Sequence, residues 1–202
     1  MAPFSSGGLL EGALVGRSRA RYVRFGTTER EGFPVISTTY VQRMARYNRW
    51  QNENLYGGAD KLPALERTRQ SGAFFGSIQG TLSHLLWADQ HWMRRFDPAS
   101  PAPRAKSSKE SPHAYNDWSE LRRDRSACDA AVVGWADTLD AAWLDGDLVY
   151  FSGIAQREIT LAKWIAVTHF FNHQAHHRGR VHCMLTQAGV KPADTDLPFL
   201  PA

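Results

Sequence analysis

The segment His169-Phe170-Phe171-Asn172-His173-Gln174-Ala175-His176-His177-Arg178-Gly179-Arg180 gathers four imidazoles and two guanidinium groups into one short stretch. At about 100° per residue, His173 and His177 are offset by about 40° and one turn, so a helix carries both on one face. That is the spacing with which a helix offers two imidazoles to one metal ion. His169 falls one turn earlier on the same strip, whereas His176 points about 100° away from His177. Gln174 stands where H-E-x-x-H zinc proteases carry their general-base Glu, so that chemistry is not expected. An H-x-x-x-H pair alone fits ordinary hydrogen-bonded histidines as well.

A metal needs a further ligand from elsewhere in the chain. His84 and His91, seven residues apart, share a face of an earlier helical stretch. Three neutral imidazoles make a sound divalent-metal site that leaves positions for water or substrate. His84 lies near the middle of its helix, and Ser77, Thr81 and Ala88 on its strip let another helix approach. It sits about 120° from the centre of the apolar stripe, which is an edge position. His91 falls near the helix end, where a solvated role, or one behind the ligands, fits. Geometry favours His84 and leaves His91 open. Zinc is the default ion for such a set, with nickel and iron(II) also suited to imidazole.

The elements that hold these side chains follow from periodicity and capping residues. Order is expected to begin near Ser37-Thr38-Thr39; Tyr40, Met44, Tyr47 and Leu55 follow at helical spacing until Gly57-Gly58. A charged segment, Pro63 to Gln70, leads to a second helix over about 72–96 with the stripe Ile78, Leu82, Leu85, Trp92 and Phe96. Gly76 and Gly80 each cost that helix about 1 kcal/mol against Ala, which a closely approaching backbone would explain. Residues 97–113, with four prolines, read as a long surface crossover loop. Trp118, Leu121, Arg125, Cys128, Val132, Trp135 and Leu139 then step alternately by three and four, a packed seam that only Arg125 interrupts.

Asp145-Gly146-Asp147 closes the third helix, and Leu148 to Phe151 suit a short strand or an extended connector. The last helix is expected from Thr160 to Gly189, with Pro192 beyond it and an irregular tail from Asp194. Its apolar residues go round most of the cylinder, the mark of a buried helix, so its polar groups need partners. Each one left unsatisfied in the core costs roughly 1–3 kcal/mol. Four long helices and little strand signal make residues 37–202 an all-α bundle. Residues 1–36 hold five Arg and three Glu without periodicity. They read as a disordered extension; Glu11, Glu29 and Glu31 count against an Arg-rich targeting peptide.

The chain has 202 residues, 43% of them hydrophobic, enough for one domain with its own core. Its ten Phe, seven Trp and six Tyr exclude a wholly disordered protein. Cys128 and Cys183 form no C-x-x-C, which fits a reduced, cytoplasmic setting. No run of about 18 apolar residues exists to span a membrane. The net charge of +4 is spread thinly, and no basic recognition helix supports nucleic-acid binding.

Ser83-His84-Leu85-Leu86-Trp87-Ala88-Asp89 together with Asn172-His173-Gln174-Ala175-His176-His177-Arg178-Gly179 resembles the DinB (damage-inducible) family over roughly residues 38–199. The resemblance implies a four-helix bundle with one ligand histidine on the second helix and an H-x-x-x-H pair on the last. Carried onto this sequence, the metal ligands are His84, His173 and His177. Arg180 departs from the Gln that often follows H-R-G in the family, and loop 97–113 has no counterpart there. Relatives of this kind include thiol-dependent transferases and isomerases.

What the resemblance implies is a metal-dependent, thiol-linked transferase or hydrolase in stress or detoxification, taking a low-molecular-weight thiol or another small molecule. A non-enzymatic metal-binding stress protein and a bundle with merely structural histidines are the alternatives. A homodimer is the family-level expectation. No dedicated general base stands out unless His169, His176 or a bound thiolate serves. His176, Arg178 and Arg180 suit roles behind the ligands or at an anion, and equally at the surface. Asp89 suits orienting an imidazole or pairing on the helix surface. Cys183 lies too far round to ligate and suits packing, and Trp87, Trp92, Trp135 and Trp164 are most simply core.

Overall fold

A computed structural model describes residues 35–153 and 155–201. The expected disordered extension falls almost wholly outside the described residues. Six α-helices and one β-hairpin occur among the described residues: α1 (Thr38–Asp60), α2 (Ala64–Thr68), α3 (Ile78–Phe96), α4 (Trp118–Asp137), α5 (Ala141–Leu144), β1 (Asp147–Ser152), β2 (Arg157–Ala162) and α6 (Lys163–Gln187). The chain is thus mostly helical, with a small two-stranded sheet that an all-α expectation omits.

Short polar side chains start the long helices by accepting from amides that have no partner inside the helix. Ser37 Oγ accepts from the Tyr40 amide at 3.1 Å, Ser77 Oγ from Gly80 at 3.0 Å and Asp117 Oδ1 from Glu120 at 3.0 Å. The four long helices close a ring of contacts in which α1 packs on α4 and α6, and α3 packs on the same two. Val41, Leu82, Leu86, Leu121, Val132, Phe170, Phe171 and Leu185 fill its interior, each stabilising the fold by about 1.5–3 kcal/mol through burial.

The observed boundaries depart from periodicity in two places that matter for the site. The second long helix starts at Ile78 rather than near 72, because Gly72 and Gly76 take positive φ of 72° and 78° in a tight turn. Gly76 therefore costs no helix anything. Gly80 is inside α3, where a Cβ would lie 2.4 Å from the Phe75 carbonyl oxygen. The close backbone approach is thus real at Gly80, and it brings Phe75 over the helix.

The last helix starts at Lys163 rather than Thr160, since residues 157–162 pair with β1 in antiparallel register, Tyr150 opposite Ile159. β-branched Ile159 and Thr160 suit that pleated ladder. The connector 148–151 is accordingly a strand.

Helix α6 is not buried on all sides. Phe170, Gln174, His177, Arg178 and Val181 face inward, whereas Asn172, Ala175, His176 and Gly179 face solvent. Cys183 is exposed rather than packed, and Cys128 is buried. Trp92 and Trp135 pack against the core while half-exposed, and Trp87 turns its Nε1 to donate to the Ala105 carbonyl at 2.8 Å. The tail folds back onto α1, with Tyr47 Oη donating to the Thr195 carbonyl and Gln51 Nε2 to that of Asp194. No described helix is long and apolar enough to cross a membrane.

Candidate metal centre

Helices α3 and α6 run antiparallel across the centre, so that His84 meets His173 and His177 while Trp92 meets His169. His84, His173 and His177 each present a ring nitrogen, and the three lie within 4.8 Å of one another. An ion held at about 2.1 Å by each of several imidazoles needs donor atoms roughly 3–4 Å apart. His173 Nε2 and His177 Nε2 meet this at 3.1 Å.

His84 is held on its far side. Ser111, in the short 3-10 turn Ser111–His113, donates its hydroxyl proton to the Ser108 carbonyl at 2.7 Å. With that proton committed, Ser111 Oγ can only accept from His84 Nδ1, 2.8 Å away. His84 therefore carries its proton on Nδ1 and keeps Nε2 as a lone pair. Ser83 Oγ donates to the Ser111 carbonyl and ties the same turn to α3. Phe75 stacks on the other face of His84, with ring centroids 3.6 Å apart, and lies 5.4 Å from the His177 ring. The aromatic ring and the hydroxyl together fix how His84 is turned.

Burial also keeps the site deprotonated. His84 and His177 are only 4% and 7% exposed. Burial, reinforced by His173, pushes both imidazoles down to about 3. Burial lowers His173 too, against the opposing pull of Asp89. Three imidazoles that stay neutral with lone pairs converging suit a divalent cation. His177 Nδ1 is buried and has no partner among the described residues, so the second nitrogen of one ligand is unsatisfied by them.

These shifts have a consequence for metal-free protein. A histidine whose folded pKa lies below its unfolded value contributes stability that is complete above the unfolded pKa of about 6.5 and lost as pH falls. His84 and His177 are expected to withdraw stability between 6.5 and about 3, each with a slope approaching 1.4 kcal/mol per pH unit. Asp129, raised to about 6 by burial, opposes them by restoring stability as pH falls below that value. The two histidines outweigh it. Urea unfolding of metal-free protein across this range is the check; a flat profile would contradict the buried, neutral pair.

The other candidates separate clearly. His91 stacks on Trp87 and its Nε2 accepts from Arg95 at 3.0 Å, outside the cluster. His169 is exposed, its ring 5.8 Å from that of His173, and His176 is exposed with its ring 4.9 Å from that of His177. Arg180 is exposed as well.

Asp89 neither pairs at the surface nor hydrogen-bonds an imidazole. It is buried and accepts from Arg125 Nη1 at 2.6 Å, and Arg125 Nη2 lies 2.8 Å from Asp129 Oδ1. Asn52 Nδ2 donates to Asp129 Oδ1 at 2.8 Å. Arg178 is buried too, rather than a surface or cap residue, and donates to Asn48 Oδ1. Ser111 and Phe75 escaped sequence reasoning. Both come from connecting segments, whose periodicity carries no signal for which helix they touch.

The DinB family model matches residues 36–202. No curated protein and no solved structure matches the chain.

Proposed function

Because the chain belongs to the DinB family over residues 36–202, we propose that it is a four-helix-bundle protein binding one divalent metal ion through His84, His173 and His177, and a metal-dependent, thiol-linked transferase or hydrolase. The observation that carries the reading is the convergence of three imidazole nitrogens within 4.8 Å from two separate helices. Zinc is the default occupant, with nickel and iron(II) as alternatives. Bound there, such an ion supplies a Lewis acid and lowers the pKa of a water or thiol.

The chain's own residues prepare that chemistry. Ser111 holds the His84 tautomer, burial keeps the imidazoles unprotonated, and Phe75 keeps water off the His84 face. His176, exposed beside His177, is placed to accept a proton from an incoming group.

Metal binding without turnover is the second reading. It draws on Asp89, the carboxylate that acts on His173, being tied to Arg125 and so not free to serve as a base. Metal content of untagged protein by mass spectrometry, beside a thiol-dependent substrate panel, separates the two. About one ion per chain with thiol-dependent turnover supports the enzyme; one ion without turnover supports the second reading. No ion after reconstitution with zinc, nickel or iron(II) would sink both.

Ser111→Ala tests the hold on His84. Loss of a partner behind a ligand typically weakens metal affinity by about 10–100-fold, and that loss is expected here with the fold intact. Competition against a chromogenic chelator measures it, and wild-type affinity would show that Ser111 does not set the tautomer.

A further inference from the structure

Arg95, at the end of α3, is a cation without an anion among the described residues. Its guanidinium carbon lies 4.4 Å from the Trp92 ring centroid and 4.1 Å from that of Tyr150 on β1. A guanidinium can only donate, so His91 Nε2 accepts from Arg95 Nη2 at 3.0 Å. None of the ion pairs among the described residues includes Arg95. The nearby His91 and His169 feel it as a repelling positive charge, and burial works against the charge of Arg95 itself. A half-buried guanidinium in such company is normally satisfied by a carboxylate or phosphate. Here the aromatic rings and His91 flank it, and no other described residue meets the rest of its donor fork.

The position is as informative as the charge. His84, His91 and Arg95 lie along one strip of α3, and His169, His173 and His177 along the facing strip of α6. Eleven residues separate His84 from Arg95, about 16 Å of helix axis. The long Arg95 side chain reaches back one turn along α3 to His91, which shortens the gap from its side. The exposed His169, beside Trp92 and one turn from His173, lies between the two ends.

We propose that Arg95, seated in the corner formed by Trp92 and Tyr150 beside His91, binds the oxyanion of an extended small molecule whose other end reaches the three-histidine centre. The ligand is a carboxylate- or phosphate-bearing molecule, and on the metal reading above, on which this second contact rests, its far end is a thiol. Arg95 acts as a positioning residue.

The test uses the full chain, loaded with cobalt(II) as a visible substitute ion, and two probes, 6-mercaptohexanoate and its amide. They share a thiol and differ in charge. Wild-type protein is expected to bind the carboxylate about tenfold or more tightly. Arg95→Gln is expected to abolish that preference without changing metal content. Arg95→Lys, which keeps the charge and loses the planar fork, is expected to retain part of it, and it serves if the Gln variant does not fold.

6-Phosphonohexane-1-thiol, compared with the carboxylate, identifies which oxyanion is preferred; binding of neither above the amide overturns the proposal. Equal binding of carboxylate and amide by wild type, or an unchanged preference in Arg95→Gln, also overturns it. Adipate, titrated by NMR against metal-free protein, keeps the two readings apart. If no metal binds, the metal reading has failed and the adipate arm decides alone. Saturable binding lost in Arg95→Gln upholds the oxyanion site, and no binding overturns it.

Discussion

Replacing His177 with alanine is expected to abolish stoichiometric metal binding. His177 is the ligand with the least freedom to be substituted. It is buried, its Nε2 lies 3.1 Å from that of His173, and its ring centroid is 4.9 Å from that of His84. Removing it leaves two imidazoles from different helices, with the exposed His176 the nearest replacement and displaced round the helix. The loss should exceed the roughly 10–100-fold associated with a partner behind a ligand. Mass spectrometry of untagged protein should fall from about one ion per chain to none, and His84→Ala should do the same. Retention of one ion in either variant would show that the ion, if any, is held elsewhere. His91→Ala is the matching control, since His91 sits outside the cluster, and its metal content is expected to equal that of wild type.

The largest effect on stability is expected from Arg125→Met. Arg125, only 3% exposed, lies between Asp89 and Asp129, which are equally withdrawn from solvent. Taking away the cation leaves two buried carboxylates facing each other, and loss of one partner from a buried ion pair costs about 3–5 kcal/mol. The variant should be rescued by acid. Burial raises Asp129 to about 6 even with Arg125 in place. An acid with a raised folded pKa gives up stability as pH climbs through the interval from its unfolded value to its folded one. The deficit of the variant should accordingly shrink as pH is lowered from 7 toward 5. Urea unfolding at several pH values measures it, and a deficit below about 1 kcal/mol at pH 7 would mean that the carboxylates relax to water. Replacing all three charges with apolar residues of similar volume should cost less than the single change, because no charge is then left unpaired.

These two positions also show how unevenly the sequence discloses the molecule. Arg125 is visible as the one charged residue in an otherwise apolar seam, but its partners are invisible. Asp89 comes from α3, only Asp129 is a neighbour on its own helix, and Asn52, which donates to Asp129, comes from α1. Asp89 reads locally as a residue for the helix surface or an imidazole; packing of α3 against α4 makes it a buried counterion instead. In the same way Arg178, one residue from a candidate ligand, faces Asn48 of α1 in the interior.

What the sequence determines by itself is whatever repeats at the period of a single helix. The starts of α1 and α4, the H-x-x-x-H pair on one face of α6 and the mostly helical composition follow from 3.6-residue geometry and capping side chains, whereas α1 runs on through Gly57-Gly58 to Asp60 and α4 stops at Asp137, short of Asp145-Gly146-Asp147. Tertiary structure decides whatever depends on which elements meet. Geometry along α3 favours His84 without excluding His91, and only the antiparallel crossing on α6 brings His84 to the pair and leaves His91 with Arg95.

The turn carrying Ser111, the Phe75 ring and the β-hairpin that carries Tyr150 are likewise settled by contact. Ser111 and Tyr150 lie far from α3 in sequence and Phe75 in the loop just before it, and loop residues carry no periodic signature of their neighbours. Local conformation is a property of a few adjacent residues, whereas a coordination set is a property of distances across a core. The first can be read along the chain; the second exists only after the helices have packed.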